Sequence, residues 1–149
     1  MSAHKKLQVF IPILIILAIG ISACGNGTPT PGPQVYNPGC SVQNLIGHIN
    51  QANNTPGPAV INLDYCVYTL TTADNSAQVD GVTVSNGLPI ITSEITIQGN
   101  NAVIEVVKDD GEPFFGHFFV DPDGDLALYD LLIIDGSRPA GGAVINNGG

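Results

Sequence analysis

The chain has few basic side chains and no tryptophan. Its 149 residues include 4 lysines and arginines against 13 acidic residues, which gives a formal net charge of −9 at pH 7. A surface of this sign repels phosphate backbones, so it excludes nucleic acid as a partner and disfavours anionic polymers unless a cation bridges the contact. Charged residues make up only 11% of the chain, whereas 44% of the residues are hydrophobic. That composition excludes a disordered protein and indicates one domain with its own core.

The first 24 residues have the order of a secretory signal peptide. Lys5 and Lys6 precede an apolar run over residues 9–21, and the run ends in Ile21-Ser22-Ala23-Cys24. Thirteen residues of helix span roughly 20 Å, whereas the hydrocarbon core of a bilayer is about 30 Å thick. A retained transmembrane anchor is therefore the less favoured alternative.

The quartet that ends in Cys24 resembles the lipobox of bacterial lipoproteins, in which small residues precede a cysteine that becomes the lipidated N-terminus. The resemblance implies that residues 1–23 are a lipoprotein signal peptide and that Cys24 carries the lipid, with palmitate among its acyl chains. It places the mature protein outside the cytoplasm, anchored by this lipid to a membrane at the bacterial cell surface or on its periplasmic face.

Two further cysteines, Cys40 and Cys66, remain in the mature chain. In an oxidising compartment we expect them to form a disulfide, which stabilises a loop of this length by about 3 kcal/mol in the chain-entropy model. Two free buried thiols are the alternative. A catalytic cysteine is disfavoured, because the nearby His48 lies on the polar side of a predicted helix without an acidic partner in the same segment.

The mature chain divides into a tether and a folded part. Residues 24–39 are rich in proline and glycine with almost nothing to bury, so we expect an extended tether. Residues 41–53 carry apolar side chains at helical spacing behind Ser41, a good N-cap, so we expect an amphipathic helix. From residue 59 onward short β-rich runs alternate with Gly, Asn and Asp. The predicted strands are 60–63, 66–70, 82–84, 94–98, 103–107, 118–120, 126–129, 131–134 and 143–145.

A loose internal repeat runs through the β-rich part. Residues 95–100 and 132–137 share an apolar run that ends in glycine, and the two glycines, Gly99 and Gly136, lie 37 residues apart. This spacing is compatible with stacked coils of roughly 18 to 25 residues, the arrangement of a parallel β-solenoid.

Several phrases carry a resemblance to a known class of protein. They are Gly-Leu-Pro-Ile-Ile-Thr-Ser-Glu-Ile-Thr-Ile-Gln-Gly-Asn at residues 87–100, the helix with its Asn-rich exit, Tyr68-Thr69-Leu70-Thr71, and Gly-Gly-Ala-Val-Ile-Asn-Asn-Gly-Gly at residues 141–149. Together they resemble bacterial secreted right-handed parallel β-helix repeat proteins, which are similar to the passenger regions of polymorphic outer-membrane proteins. The resemblance implies a mainly β fold in which residues 40–149 form a capping helix and the first coils of a longer array, truncated at the C-terminus.

One polar cluster has the chemistry of a metal site. Asp121, Asp123 and Asp125 alternate around Gly124, and a hard cation such as calcium takes several oxygen ligands of this kind. The favoured interpretation is nevertheless an ordinary Pro-Asp-Gly turn between two strands, with no cofactor. A weak calcium site at these three aspartates is the alternative.

No catalytic constellation follows from the residues. Residues 114–119 hold four phenylalanines around His117, and we expect core residues and a buried, hydrogen-bonded histidine rather than a sugar platform. The sequence thus indicates a lipid-anchored cell-surface module with a structural or adhesive role, not an enzyme, with surface glycans or proteins as candidate partners. The alternative is the N-terminal part of a carbohydrate-active β-helix enzyme, a polysaccharide lyase or glycoside hydrolase, with catalytic coils beyond residue 149.

Overall fold

A computed structural model describes residues 32–107, 114–137 and 142–148. The predicted signal peptide, Cys24 and the first part of the tether lie outside these residues. The described part is mainly β, with parallel sheets and one helix, α1 (Val42–Asn53). Its strands are β1 (Gln34–Tyr36), β2 (Ala59–Asn62), β3 (Val67–Leu70), β4 (Asn75–Val79), β5 (Val82–Asn86), β6 (Glu94–Val106), β7 (Phe118–Val120), β8 (Asp125–Ile134) and β9 (Val144–Asn146).

Four parallel segments of the chain form the first face of the sheet, and we call each of these segments a pass. β1, β2, the first half of β6 and the first half of β8 lie side by side, and every pair is parallel. Gln34 lies beside Ala59, Ala59 beside Ile95, and Ile95 beside Leu126. Successive passes are therefore 25, 36 and 31 residues apart along the chain.

Two further sets of parallel neighbours repeat this arrangement. On a second face, β3 lies beside the second half of β6, which lies beside the second half of β8, so that Val67, Val103 and Leu132 are neighbours. In a third set β7 pairs with β9, and isolated parallel bridges join residues 86–91 to residues 116–120. The chain thus returns to the same three sets of neighbours in turn.

The core consists of aliphatic side chains that alternate along these strands. Ile61, Ile97 and Leu128 are neighbours on three successive passes, and Ile61 and Ile97 are fully buried. Side chains between them point outward, as strand geometry requires. Each pass therefore places its apolar residues beside those of the pass before.

Helix α1 packs against this core, and its predicted extent is confirmed. The Ser41 hydroxyl accepts a hydrogen bond from the Asn44 amide at 3.3 Å, which caps the first turn. Leu45, Ile49 and Ala52 are buried against strands β2, β3 and β6. The amphipathic spacing that predicts the helix is the spacing that buries it.

Asn53 ties the end of α1 to the chain that follows the β5 strand. Its Nδ2 donates to the Ile90 carbonyl at 2.7 Å, and its Oδ1 accepts from the Thr92 amide at 3.0 Å. Leu88 and Ile91, from the same Leu-Pro-x-Ile phrase, are fully buried. Asn53, in the Asn-rich stretch that ends the helix, thus fixes the helix end to this segment.

Strand β1 lies within the residues predicted as tether. It pairs with β2, so the predicted tether ends before Gln34. The reason is Tyr36, which is buried and stacks on His48 with ring centroids 5.1 Å apart. The surrounding prolines and glycines obscure this anchor in the sequence, and His48 is half-buried rather than fully solvated.

Strands β4 and β5 form an antiparallel hairpin. The sequence predicts only residues 82–84 of this hairpin as strand. Asp80 and Gly81 connect the strands with φ values of +50° and +80°. Positive φ at both central residues is the geometry of a type I′ turn, for which Asp-Gly is a strong signal. The hairpin lengthens the chain between β2 and β6.

The predicted repeat has the wrong period. Coils of roughly 18 to 25 residues were expected, but passes are up to 36 residues apart because the hairpin and loops are inserted between strands. Gly99 lies against Asp130 of β8 rather than beside Gly136. β6 and β8 are each one continuous strand, whereas the sequence predicts two separate strands in each of these regions. The pairing between β6 and β8 shifts its register between Gln98 and Ala102, where the two predicted strands of β6 meet.

Candidate binding site

An exposed tyrosine marks the corner between the first and second faces. Tyr65 exposes 82% of its surface and lies in the turn between β2 and β3. The parallel register places the Asn100-Asn101 bend of β6 beside this turn, and Asp130 of β8 beside that bend. Residues from three successive passes therefore meet at one corner.

Two adjoining clefts lie at this corner, and we refer to them together as the tyrosine cleft. Their volumes are about 350 and 460 Å³, and both are lined by Tyr65, Asn101 and Val103. The first adds Cys66 and Val67, and the second adds Asp130, Leu131 and Leu132. The cleft thus combines an aromatic ring, apolar side chains, an amide and a carboxylate.

Left-handed backbone geometry creates the corner. Asn100, Asn101 and Asp130 have φ values of +49°, +61° and +48°. Asparagine and aspartate tolerate this region better than other residues with a Cβ. The Asn100 side chain also donates to the Leu63 carbonyl at 2.8 Å, which fixes one bend to the turn before it.

Gly99 allows neighbouring passes to approach each other at the corner. A Cβ on Gly99 would overlap the backbone carbonyl of Asp130. The glycine is therefore required by close packing of one backbone on another.

The segment that carries Tyr65 is held on both sides. The buried Tyr68 hydroxyl accepts a hydrogen bond from the Asp64 amide at 3.1 Å and donates one to the Gly39 carbonyl at 2.5 Å. Cys40 and Cys66 lie at disulfide distance, with Cα atoms 5.7 Å apart, as the sequence predicts. Residues 64–66 are thereby fixed to residues 39–40, so the Tyr65 ring is presented from a constrained backbone.

Burial raises the pKa of the Tyr68 hydroxyl above its ordinary value of 10.0. Below pH about 10 the folded and unfolded chains both keep this proton, and the stabilisation is complete. As the pH rises further, the unfolded chain loses its proton first, so folding stability falls until the folded pKa is passed. We expect the free energy of unfolding in urea to fall as the pH rises above about 10.

Tyr68→Phe should remove part of this alkaline loss. The variant starts less stable by about 1–3 kcal/mol, because it leaves the Asp64 amide and the Gly39 carbonyl without the hydroxyl. Its stability should then fall less steeply above pH about 10 than that of the wild type. Tyr65→Phe is the control, since the Tyr65 hydroxyl is exposed. Equal slopes for Tyr68→Phe and the wild type would contradict the assignment.

The predicted calcium residues lie along a turn. Gly124 donates its amide to the Asp121 carbonyl at 2.9 Å, and a Cβ on Gly124 would overlap the Ile91 carbonyl. No group of three or more His, Cys, Asp or Glu side chains that could hold a metal ion occurs among the described residues. Calcium at Asp121, Asp123 and Asp125 stays an untested alternative to the turn.

The phenylalanine cluster is core at three of its four positions. Phe115, Phe118 and Phe119 are buried, whereas Phe114 is exposed. His117 is fully buried, and its Nε2 lies 3.2 Å from the Ile104 carbonyl, which confirms the predicted buried, hydrogen-bonded histidine. No pattern in the sequence marks Tyr65, the exposed aromatic that lines the tyrosine cleft.

Comparisons with models of protein families, with curated proteins and with solved structures found no match. In the described ranges, no helix is long and apolar enough to cross a bilayer.

Proposed function

We propose that the protein is a lipid-anchored, extracytoplasmic binding module whose strands wind as a right-handed parallel β-helix. The support for the winding is the register, in which three sets of parallel neighbours recur in the same order along the chain. Connections between parallel strands of one sheet are almost always right-handed. In this winding helix α1 is the cap on the first coil, and its buried residues contact β2, β3 and β6.

The observation that carries a binding role is an apolar row on the outer surface. Val67, Val103 and Leu132 are neighbours on three passes, and Val67 and Leu132 expose 55% and 56% of their surfaces. Aligned apolar side chains that remain exposed, with polar residues at their rim, are typical of interaction sites. These three side chains also line the tyrosine cleft, so we take the cleft and the row together as the binding surface.

The membrane anchor rests on the sequence before residue 25 and on the cysteine pair. A disulfide between Cys40 and Cys66 suits an oxidising compartment outside the cytoplasm. An acyl chain on Cys24 alone gives reversible membrane binding, whereas two or more give a stable anchor. The proline-rich sequence that follows Cys24 then provides a tether between the lipid and the folded part.

The anchor is tested by labelling cells that express the full chain with a clickable palmitate analogue. We expect label on the wild type and its recovery in the membrane fraction. Cys24→Ser should lose the label and leave the membrane fraction, while Cys66→Ser should keep the label, because it removes a different cysteine. An unlabelled wild type, or a labelled Cys24→Ser variant, would overturn the anchor.

A further inference from the structure

We infer that the tyrosine cleft binds a neutral oligosaccharide, an inference that rests on the proposed binding role of this surface. The first reason is the Tyr65 ring. An exposed aromatic face offers an apolar surface against which the C–H groups of a sugar ring pack, and its hydroxyl remains available to water or ligand. The adjoining Val67, Val103 and Leu132 side chains extend the apolar surface.

The polar lining suits sugar hydroxyl groups. The Asn101 amide supplies two donor hydrogens and an acceptor oxygen, and the Asp130 carboxylate supplies acceptors. Neither side chain makes a hydrogen bond to another described residue, and both lie on exposed positions of the cleft. Donors and acceptors beside an aromatic ring match a ligand whose faces are apolar and whose edges carry hydroxyl groups.

Charge restricts the class of sugar. No lysine or arginine occurs among the described residues, and Asp64 and Asp130 lie in or next to the cleft. A uronic acid or sulfated sugar would therefore meet carboxylates, and none of the described residues supplies a lysine or arginine to pair with it. A basic ligand would be attracted by the acidic surface as a whole and can also pack its cation on the Tyr65 ring, so the test includes a cationic probe.

The geometry also limits the length of the ligand. Tyr65, Asn101 and Asp130 belong to three successive passes, and neighbouring strands lie about 4.8 Å apart. The cleft thus extends over about 10 Å along the stack, enough for two or three sugar rings rather than one. Because the hydrogen bonds of Tyr68 hold the segment that carries Tyr65, little ordering cost remains on binding.

Calorimetric titration of the full lipidated protein in lipid nanodiscs tests the inference. The probes are neutral tetrasaccharides of glucose, mannose and N-acetylglucosamine, with a de-N-acetylated glucosamine tetramer and tetragalacturonate as cationic and anionic counterparts. We expect at least one neutral probe to bind and Tyr65→Ala to weaken its binding at least tenfold. Asn101→Ala should weaken it severalfold. Tyr129→Ala is the matched control, since Tyr129 is exposed on the same sheet outside the cleft, and it should bind like the wild type.

Four results would overturn the inference. They are the absence of binding by every neutral probe, binding that is indifferent to Tyr65→Ala, a preference for the anionic or cationic probe, and cleavage of the bound probe, which would favour the enzyme alternative. Failure here is distinguishable from failure of the anchor. A palmitate-labelled, membrane-bound protein without sugar binding contradicts only the ligand class, whereas an unlabelled protein that binds the neutral probe contradicts only the anchor.

Discussion

Replacing Ile97 with alanine should destabilise the protein by about 2–5 kcal/mol, the range for deleting a fully buried aliphatic side chain. Ile97 is 0% exposed and lies in the central strand β6, between Ile61 on one side and Leu128 on the other. Strands on both sides hold the backbone in place, so the site has little freedom to collapse into the cavity. Urea unfolding followed by circular dichroism measures the loss.

Val103→Ala is the matched control for this prediction. Val103 lies on the same strand but faces outward on the second face, where it is only half-buried. We expect its replacement to cost less than about 1 kcal/mol. If the two variants lose equal stability, the inward and outward faces assigned to β6 are wrong.

Removing the cysteine pair should be the other large effect on stability. The disulfide of Cys40 and Cys66 joins residues 26 positions apart. In the chain-entropy model a loop of this length stabilises the fold by about 3.5 kcal/mol, chiefly by restricting the unfolded chain. We expect Cys40→Ser, Cys66→Ser and the reduced wild type to lose similar amounts in urea unfolding under otherwise identical conditions.

The double variant Cys40→Ser/Cys66→Ser separates the bond from the side chains. Each single change already breaks the bond, so the double variant should be no more than about 0.5 kcal/mol less stable than either single variant. Additive losses would mean that the two cysteines contribute to stability as separate side chains rather than through their bond. All of these variants should also bind the neutral probe less tightly, because the segment that carries Tyr65 loses one of its two restraints.

The sequence predicts best the elements whose pattern lies within a few consecutive residues. Helix α1 follows from apolar spacing and the Ser41 cap, and most strands follow from β-branched runs. The β4–β5 hairpin also has a local signal in Asp80-Gly81, although only residues 82–84 were expected as strand. β1 was not, because a three-residue strand among prolines gains its stability from pairing with β2.

The tyrosine cleft could not be predicted from local patterns. Tyr65, Asn101 and Asp130 come from distant parts of the chain, and none of them belongs to a recognisable motif. They meet because the register sets residue 67 beside residue 103 and residue 103 beside residue 132. A shift of one residue would turn their side chains to the opposite face.

The amino-acid sequence alone determined the acidic charge, the amphipathic helix, the β-rich character and the candidate cysteine pair, since composition and short-range periodicity encode these properties. Tertiary structure decided which passes are neighbours, how far apart they lie along the chain and which side chains share a corner. Parallel pairing depends on hydrogen bonds and packing between residues 25 to 36 positions apart. Loops and hairpins of differing length separate those residues, so the spacing in the sequence carries no constant period from which to derive the site.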